Sequence, residues 1–428
     1  MIAQGKLSRT ASKRGLTLGG IALAALIGSV LMAPRAARAA GEPIRIGVIG
    51  EEEAVAGASL TRAAQMAAAD INAHGGVDGR KIELFIEDDH SSAAEAARAF
   101  QRLAEQDKVA AIVATYTSEV ALALQPWSAR LKMPFITPGA SSDVISQNVK
   151  DDYAKFKYSF DGTMNSTFIA ESACDFAHDM LVGPLHMSSA AIMSEDAAWT
   201  KPLDAEYEKC LPKAGLKVVD HIRFNPDTTD FTPIYNKIEG LHPSVIMMGW
   251  SHVGVQPTVQ WHSQEVPIPL AGQSSQATTS GFWKDTNGAA QGVLTMALAA
   301  PDSALSPKTI PFAEAYEKKY GDTPSYAGYC SYDMIHVIAE AVKRAGSTDP
   351  DKMVTALENT DHVGTIGRIK FYGKDAEFPH AVEYGPGLMT GVAIQWQNGK
   401  QLTVWPADKA KGKITFPSFV KLPETVAK

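Results

Sequence analysis

Short polar and aromatic segments follow the predicted strands at five places in the chain, and their side chains could bind a small molecule. These segments are Tyr116-Thr117-Ser118, Gly139-Ala140-Ser141, the loop ending at Trp199, Trp250-Ser251 and Gln273-Ser274. Hydroxyl groups and free backbone N–H groups at strand ends suit a small polar or anionic ligand. The aromatic rings add flat apolar walls. The sequence therefore predicts a binding site for a small solute.

The sequence carries no motif typical of an enzyme or a metal protein. His178 and His186 are eight residues apart and His252 and His262 are ten apart, so neither pair has the i, i+4 spacing of a helical zinc site. A G-x-S-x-G elbow, a phosphate-binding P-loop and a G-x-G-x-x-G segment are also missing from the sequence. We therefore expect no catalytic residues, no metal and no cofactor. A hydrolase on this scaffold would need a nucleophile paired with a base, and the sequence suggests none.

Composition limits the class of partner. The chain has 428 residues with 40 Lys plus Arg, 47 Asp plus Glu and a net charge of −7. The length is enough for two to three domains. Nucleic acid is not expected to bind, because phosphate neutralisation requires clustered positive charge and the body of the chain has no basic block. The three cysteines are too few for a disulfide scaffold.

The first 39 residues have the pattern of a signal peptide. A basic start is followed by the uncharged run Leu16–Met32, and Ala37-Arg38-Ala39 supplies small residues for cleavage. We expect cleavage near Ala39 and export to the periplasm. An uncleaved membrane anchor is the alternative, but a run of 17 residues is short for a membrane span.

Strands alternate with helices twice along the chain. The first unit has predicted strands at 44–49, 81–87, 109–114 and 133–137, and the second has them at 189–193, 217–219, 244–248 and 268–270. Such alternation on short connections predicts an α/β fold with two doubly wound parallel sheets. A cleft is expected where the carboxyl ends of both sheets meet.

Several short sequence segments, in the same order along the chain, resemble those of the type I periplasmic solute-binding proteins of ABC transporters. The resemblance is to the branched-chain amino acid (leucine/isoleucine/valine) binding family. The matching phrases are residues 69–77 with 78–81, Glu87-Asp88-Asp89, residues 134–141 and Tyr332-Asp333. The resemblance implies two lobes joined by three crossings of the chain. Lobe one would comprise residues 43–158 plus 300–364, and lobe two residues 159–299 plus 365–428. The ligand would be held by hinge closure.

The resemblance also implies roles for individual residues. Ser118, Gly139 and Ser141 occupy positions that grip a ligand carboxylate in the family. Trp199 occupies the position of an aromatic cover, and Trp250-Ser251 lies where the family often has another aromatic residue.

Two departures from the family pattern change the expected ligand. Amino-acid binders of the family place an acidic residue after the strand ending at Leu270, but this chain has Gln273-Ser274 there. A carboxylate, amide or aromatic acid therefore fits better than an α-amino acid. Glu51-Glu52-Glu53 replaces a small first loop, where Glu53 could meet a ligand cation or the three residues could form an outward rim.

The resemblance further implies partners and leaves alternatives open. The expected partners are a small-molecule solute and an ABC permease in the inner membrane, with the protein itself a monomer. A ligand-sensing receptor of the same fold, acting on a signalling partner, is the alternative function. Cys174 and Cys210 lie on consecutive helices that this fold places side by side, so they form either a disulfide or two buried thiols.

Overall fold

The computed structural model describes residues 41–423, so the predicted signal peptide lies outside the described residues. The first part of the chain alternates strands with helices. Its elements are β1 Ile44–Gly50, α1 Val55–Ala73, β2 Ile82–Asp88, α2 Ala93–Glu105, β3 Ala111–Ala114, α3 Ser118–Leu131, β4 Phe135–Thr137, α4 Val144–Asp151, α5 Tyr153–Phe156 and β5 Ser159–Asp161.

The rest of the chain repeats the alternation and then returns. The repeat consists of α6 Ser166–Phe176, β6 Ser189–Glu195, α7 Thr200–Ala214, β7 Lys217–Phe224, α8 Thr232–Leu241, β8 Val245–Trp250, α9 Gln256–Ser263, β9 Leu270–Ser274 and α10 Phe282–Asp285. The return consists of β10 Leu294–Ala297, α11 Thr309–Tyr320, α12 Tyr326–Ala345, α13 Pro350–Glu358, β11 His362–Gly364, β12 Gly367–Ile369, β13 Val392–Gln397 and β14 Lys400–Trp405. A π-helix, Ala177–Val182, extends α6.

Two parallel sheets organise the fold, and we call them the first and the second sheet. The first sheet has the order β2-β1-β3-β4-β5 and the second has the order β7-β6-β8-β9. All neighbouring strands in both sheets are parallel. The prediction of two doubly wound parallel sheets is confirmed. In each sheet the strand order reverses beside the first strand of the unit, which is where such sheets bind ligands.

Local sequence explains where the elements begin and end. The apolar run Ile44–Gly50 is buried along most of its length, as a central parallel strand requires. Asn165 caps α6 by accepting a hydrogen bond from the Phe168 N–H at 2.9 Å. Gly215 ends α7 at a φ of 104°, a backbone conformation that favours glycine.

The return of the chain joins the two sheets. The antiparallel sheet β10-β13-β14 lies beside the second sheet, where the Ser274 backbone N–H donates a hydrogen bond to the Thr295 hydroxyl at 2.9 Å. Helix α12 packs along α1 on the first-sheet side. The largest apolar core includes buried residues of both sheets, among them Val48 and Ile192.

Two crossings between the sheets occur later in the chain than predicted. Strand β5, Ser159–Asp161, pairs with β4 and so belongs to the first sheet, beyond the boundary predicted at residue 158. The segment after residue 364 also stays on the first-sheet side, because Asp333 of α12 accepts hydrogen bonds from the N–H groups of Thr365 and Ile366. The chain reaches the second-sheet side again only through β13. The division into two lobes that move as separate bodies stays a prediction.

The cysteines at 174 and 210 form a disulfide between α6 and α7, with their Cα atoms 5.9 Å apart. The third cysteine, Cys330, is buried and unbonded. Within the described residues, helices that are both long and apolar enough to span a bilayer are absent.

Loss of this disulfide is expected to lower the free energy of unfolding by about 2–4 kcal/mol, because the bond closes a loop of 36 residues in the unfolded chain. The double variant Cys174→Ala/Cys210→Ala should therefore unfold at lower urea concentration than the oxidised protein. Reductant should lower the urea midpoint of the unmodified protein and leave that of the double variant unchanged. Equal midpoints for the oxidised protein and the variant would contradict the prediction.

Candidate functional site

A cavity lies between the carboxyl ends of the first and second sheets. Seven residues predicted from the sequence line it: Tyr116, Ser118, Gly139, Ser141, Trp199, Ser251 and Gln273. They come from both sheets, so the cavity is formed only when the two halves of the chain face each other. We call this cavity the cleft.

The first-sheet wall of the cleft presents hydroxyl and N–H groups. Ser118 is the first residue of α3, and a side-chain cap is missing from the N-terminus of this helix. The first backbone N–H groups of α3 therefore lack the side-chain hydrogen-bond acceptor that a capping residue usually supplies. The Ser118 hydroxyl accepts a hydrogen bond from the Ser142 N–H at 3.2 Å, which ties the loop after β4 to α3. This combination of hydroxyls and a helix N-terminus suits a carboxylate.

Gly139 lets two tyrosines approach the first-sheet wall. A Cβ atom at position 139 would lie 2.8 Å from Cβ of Tyr116 and 3.1 Å from Cε2 of Tyr326. The first distance is shorter than real Cβ atoms show and the second is tight, so a side chain at residue 139 would displace Tyr116 and change the shape of this wall.

The second-sheet wall is organised by one buried carboxylate, Glu195, the last residue of β6. Its side chain is fully buried and accepts five hydrogen bonds. The donors are the Trp199 indole N–H at 3.0 Å, the backbone N–H groups of Ser251, His252 and Val253 at 2.9, 2.8 and 3.1 Å, and His252 Nδ1 at 2.6 Å. Glu195 therefore fixes both the aromatic cover and the loop after β8.

His252 is the titratable base of the cleft. Its ring lines the cavity beside Ser251 and Ser275. Burial alone would lower the pKa of His252, but the hydrogen bond to Glu195 and the charge of that carboxylate raise it above its usual value. Burial would likewise raise the pKa of Glu195, but His252 and the N–H donors hold it below its usual value. The hydrogen bond between the two groups thus favours the charged form of each.

Among the described residues that line the cleft, acidic side chains, lysine and arginine are all absent. The lining also has an apolar part, to which Met164, Ile169, Met296 and Leu298 contribute. The cleft therefore offers hydroxyls, amides, one imidazole and an apolar surface, but no carboxylate that could pair with a ligand ammonium group.

The Glu51–Glu53 segment lies outside the cleft. Glu51 and Glu53 line a second, outer pocket that shares Tyr116, His252 and Tyr326 with the cleft. The Glu51 carboxylate accepts a hydrogen bond from the Tyr116 hydroxyl at 2.5 Å, and Glu53 is exposed. Glu51 and Glu53 therefore form a negatively charged rim beside the cleft.

Five predicted site residues do not line the cleft. Trp250 is buried in the core, where its indole N–H donates to the Met193 carbonyl at 2.8 Å. Ser274 is also buried, because β9 extends to residue 274 instead of ending at Leu270 as predicted. Thr117 and Ala140 contribute to the two loops without lining the cavity, and Glu53 lies on the rim.

Sequence reasoning missed several lining residues. His252 follows Trp250-Ser251 directly, so its place after a strand was a signal that could have identified it. Thr163 and Leu298 lie on connections between the two sides, Met296 and Ala297 end β10, and Tyr326 begins α12. Periodicity gives no signal that these separate segments meet at the cleft.

A metal site is not indicated by the described residues, since nowhere in 41–423 do three or more His, Cys, Asp or Glu side chains gather in a way that could hold an ion.

Comparison with known proteins relates this architecture to a family. A family model described as periplasmic binding protein matches residues 43–384. A Leu/Ile/Val-binding protein homologue of Brucella suis biovar 1 (strain 1330) is 27% identical over 378 residues, which cover 85% of this chain and 91% of the relative.

Two solved structures share the fold. One is the branched-chain amino acid transporter substrate-binding protein of Streptococcus pneumoniae in complex with isoleucine, with a TM-score of 0.72, 24% identity and coverage of 84% of this chain and 97% of that chain. The other is an ABC transporter solute-binding protein of R. palustris in complex with benzoate, with a TM-score of 0.69, 17% identity and coverage of 88% and 99%. At these identities the similarity concerns the fold, and the two ligands differ in chemistry.

Proposed function

The chain belongs to the periplasmic binding protein family, and from this premise we propose that it captures a small carboxylic acid with an apolar, aromatic body for an ABC importer. Its fold is that of the type I periplasmic binding proteins, and its relatives are solute-binding proteins of ABC transporters rather than enzymes. The partners in this proposal are the acid and a permease in the inner membrane.

One observation carries the choice of ligand: the described residues that line the cleft include no acidic side chain. An α-amino acid brings an ammonium group, and moving that group out of water without a carboxylate partner costs several kcal/mol. A carboxylate, in contrast, finds hydroxyl and N–H donors at Ser118, Ser141 and the N-terminus of α3. The lining of the cleft therefore disfavours an α-amino acid and favours a carboxylic acid without an ammonium group.

The apolar part of the cleft supports an aromatic body. The Trp199 ring is 5% exposed and fixed by its hydrogen bond to Glu195. Met164, Ile169 and Met296 add apolar side chains to the same lining. An aromatic ring buries a large apolar area against such a wall without losing rotamer freedom. The benzoate held by the R. palustris protein is a ligand of this class, and it supports the proposal by analogy of fold.

Hydrogen bonds between the two sides support capture by closure. The Ala198 N–H donates to Glu119 of α3 at 2.8 Å, and the Ser142 hydroxyl donates to the Ala198 carbonyl at 3.2 Å. These bonds join the loop before α7 to the first-sheet side directly beside Trp199. In the proposed mechanism the same contacts break when the two sides separate and form again over the bound acid.

A ligand panel tests the proposal. At one hundred times its dissociation constant, a ligand should stabilise the protein by about 2.7 kcal/mol, which appears as a higher thermal unfolding temperature. We expect benzoate and 4-hydroxybenzoate to stabilise residues 40–428, and leucine and isoleucine to bind at least about tenfold more weakly. Calorimetry should then give the dissociation constants. Micromolar binding of leucine, with no response to the aromatic acids, would contradict the proposed ligand class.

A further inference from the structure

His252 lines the cleft, and one of its two ring nitrogens is bonded to Glu195. Its Nδ1 is hydrogen-bonded to Glu195 at 2.6 Å, and its own backbone N–H donates to the same carboxylate at 2.8 Å. Glu195 therefore holds His252 by one ring nitrogen and by the backbone. Its Nε2 has no hydrogen-bond partner among the described residues, although the ring lines both the cleft and the outer pocket.

The hydrogen bonds of Glu195 determine where the proton is. A carboxylate that accepts five hydrogen bonds stays ionised, because each donor stabilises the charged form. The bond at 2.6 Å then requires a proton on Nδ1 of His252. With Nδ1 committed, a second proton on the ring resides on Nε2, which is hydrogen-bonded to none of the described residues.

Other charged groups near His252 favour this second proton. They are Glu119 of α3 and Glu51 after β1, and both act on the ring through their charge. Each already accepts a hydrogen bond from the protein, Glu119 from the Ala198 N–H and Glu51 from the Tyr116 hydroxyl. The tyrosines beside the ring, Tyr116 and Tyr326, stay neutral because burial raises the pKa of each phenol.

We propose that His252, positioned by Glu195, is a specificity residue that donates a hydrogen bond from Nε2 to an oxygen of the bound acid and makes the cleft select anions over neutral molecules of the same shape. This inference rests on the proposed function and adds a ligand contact on the second-sheet wall. Glu195 acts through His252 and is a positioning residue.

The proposed role of His252 predicts how the affinity for an anionic ligand changes with pH. His252 carries its charge below its pKa, which Glu195 holds above the usual value. Affinity for an anion should therefore be highest at low pH and fall as the pH rises through that pKa. Benzoate itself stays ionised between about pH 6 and about pH 9, so the ligand contributes no proton in this range.

The test compares benzoate with benzamide, a neutral molecule of nearly the same shape, by calorimetry at several pH values. We expect the preference for benzoate to fall about tenfold or more between about pH 6 and about pH 9, since a hydrogen bond to a charged group is lost. In His252→Gln the preference should be reduced and independent of pH. His74→Gln is the matched control, because the His74 side chain is 79% exposed and lies outside the cleft.

The outcomes separate the two proposals. If benzoate binds with the same pH-independent affinity to the unmodified protein and to His252→Gln, the role of His252 is overturned and the proposed function stands. If no acid in the panel binds to the folded protein, the proposed ligand class fails and this inference fails with it. An NMR titration of the His252 ring without ligand gives a second measurement, and a pKa at or below the ordinary value for histidine would overturn the inference independently of any ligand.

Discussion

Replacing Glu195 by alanine is expected to abolish measurable binding of the aromatic acid and to lower the free energy of unfolding by about 3–5 kcal/mol. The side chain is fully buried, and its removal leaves three backbone N–H groups of residues 251–253 without their acceptor. It also leaves the His252 ring and the Trp199 indole without the group that orients them. Urea unfolding and calorimetry measure the two effects separately.

Two further variants make the Glu195 experiment specific. Glu195→Gln keeps the size of the side chain but removes the charge, so it should retain more stability than Glu195→Ala while lowering the pKa of His252. Glu208→Ala is the matched control, because Glu208 also bonds a histidine of the second-sheet side but its side chain is 51% exposed. Full binding and unchanged stability in Glu195→Ala would show that the loop after β8 is held by other contacts.

Adding a single methyl group at residue 139 is expected to weaken binding of the acid by about tenfold or more. The new Cβ of Gly139→Ala would lie 2.8 Å from Cβ and 3.0 Å from Cα of Tyr116, and 3.1 Å from Cε2 of Tyr326. One of these contacts is with the backbone, so rotation of the Tyr116 side chain cannot relieve the clash. Overpacking of this kind costs about 1–3 kcal/mol, and it moves a loop that contributes to the cleft.

The chain offers a control for Gly139→Ala. A Cβ at Gly373 would have no atom within 4 Å and the residue does not adopt a positive φ, so Gly373→Ala should leave both binding and stability unchanged. Calorimetry with benzoate on both variants measures the difference. Equal affinity in Gly139→Ala and the unmodified protein would mean that the first-sheet wall adapts and that the ligand does not depend on its shape.

The sequence predicted more of the residues that line the first-sheet wall of the cleft than of those that line the second-sheet wall. The first-sheet wall was predicted well, because Ser118, Gly139 and Ser141 follow strands of one continuous α/β unit. The second-sheet wall was predicted only in part. Trp199 and Ser251 line the cleft, but Trp250 points into the core, since successive side chains at the end of β8 face opposite sides of the sheet.

The sequence by itself determined the local features: the alternation of strands and helices, the two parallel sheets, the hydroxyl-bearing loops at their carboxyl ends and the lack of an acidic residue at Gln273-Ser274. These features depend on hydrophobic periodicity and on neighbouring residues. The hydrogen bonds of Glu195 to residues 251–253, in contrast, join residues 56 to 58 positions apart, and Tyr326 reaches the cleft from a helix that follows two crossings of the chain. Only the tertiary structure decided these contacts, because they exist only when separate segments have been brought together by packing of the core.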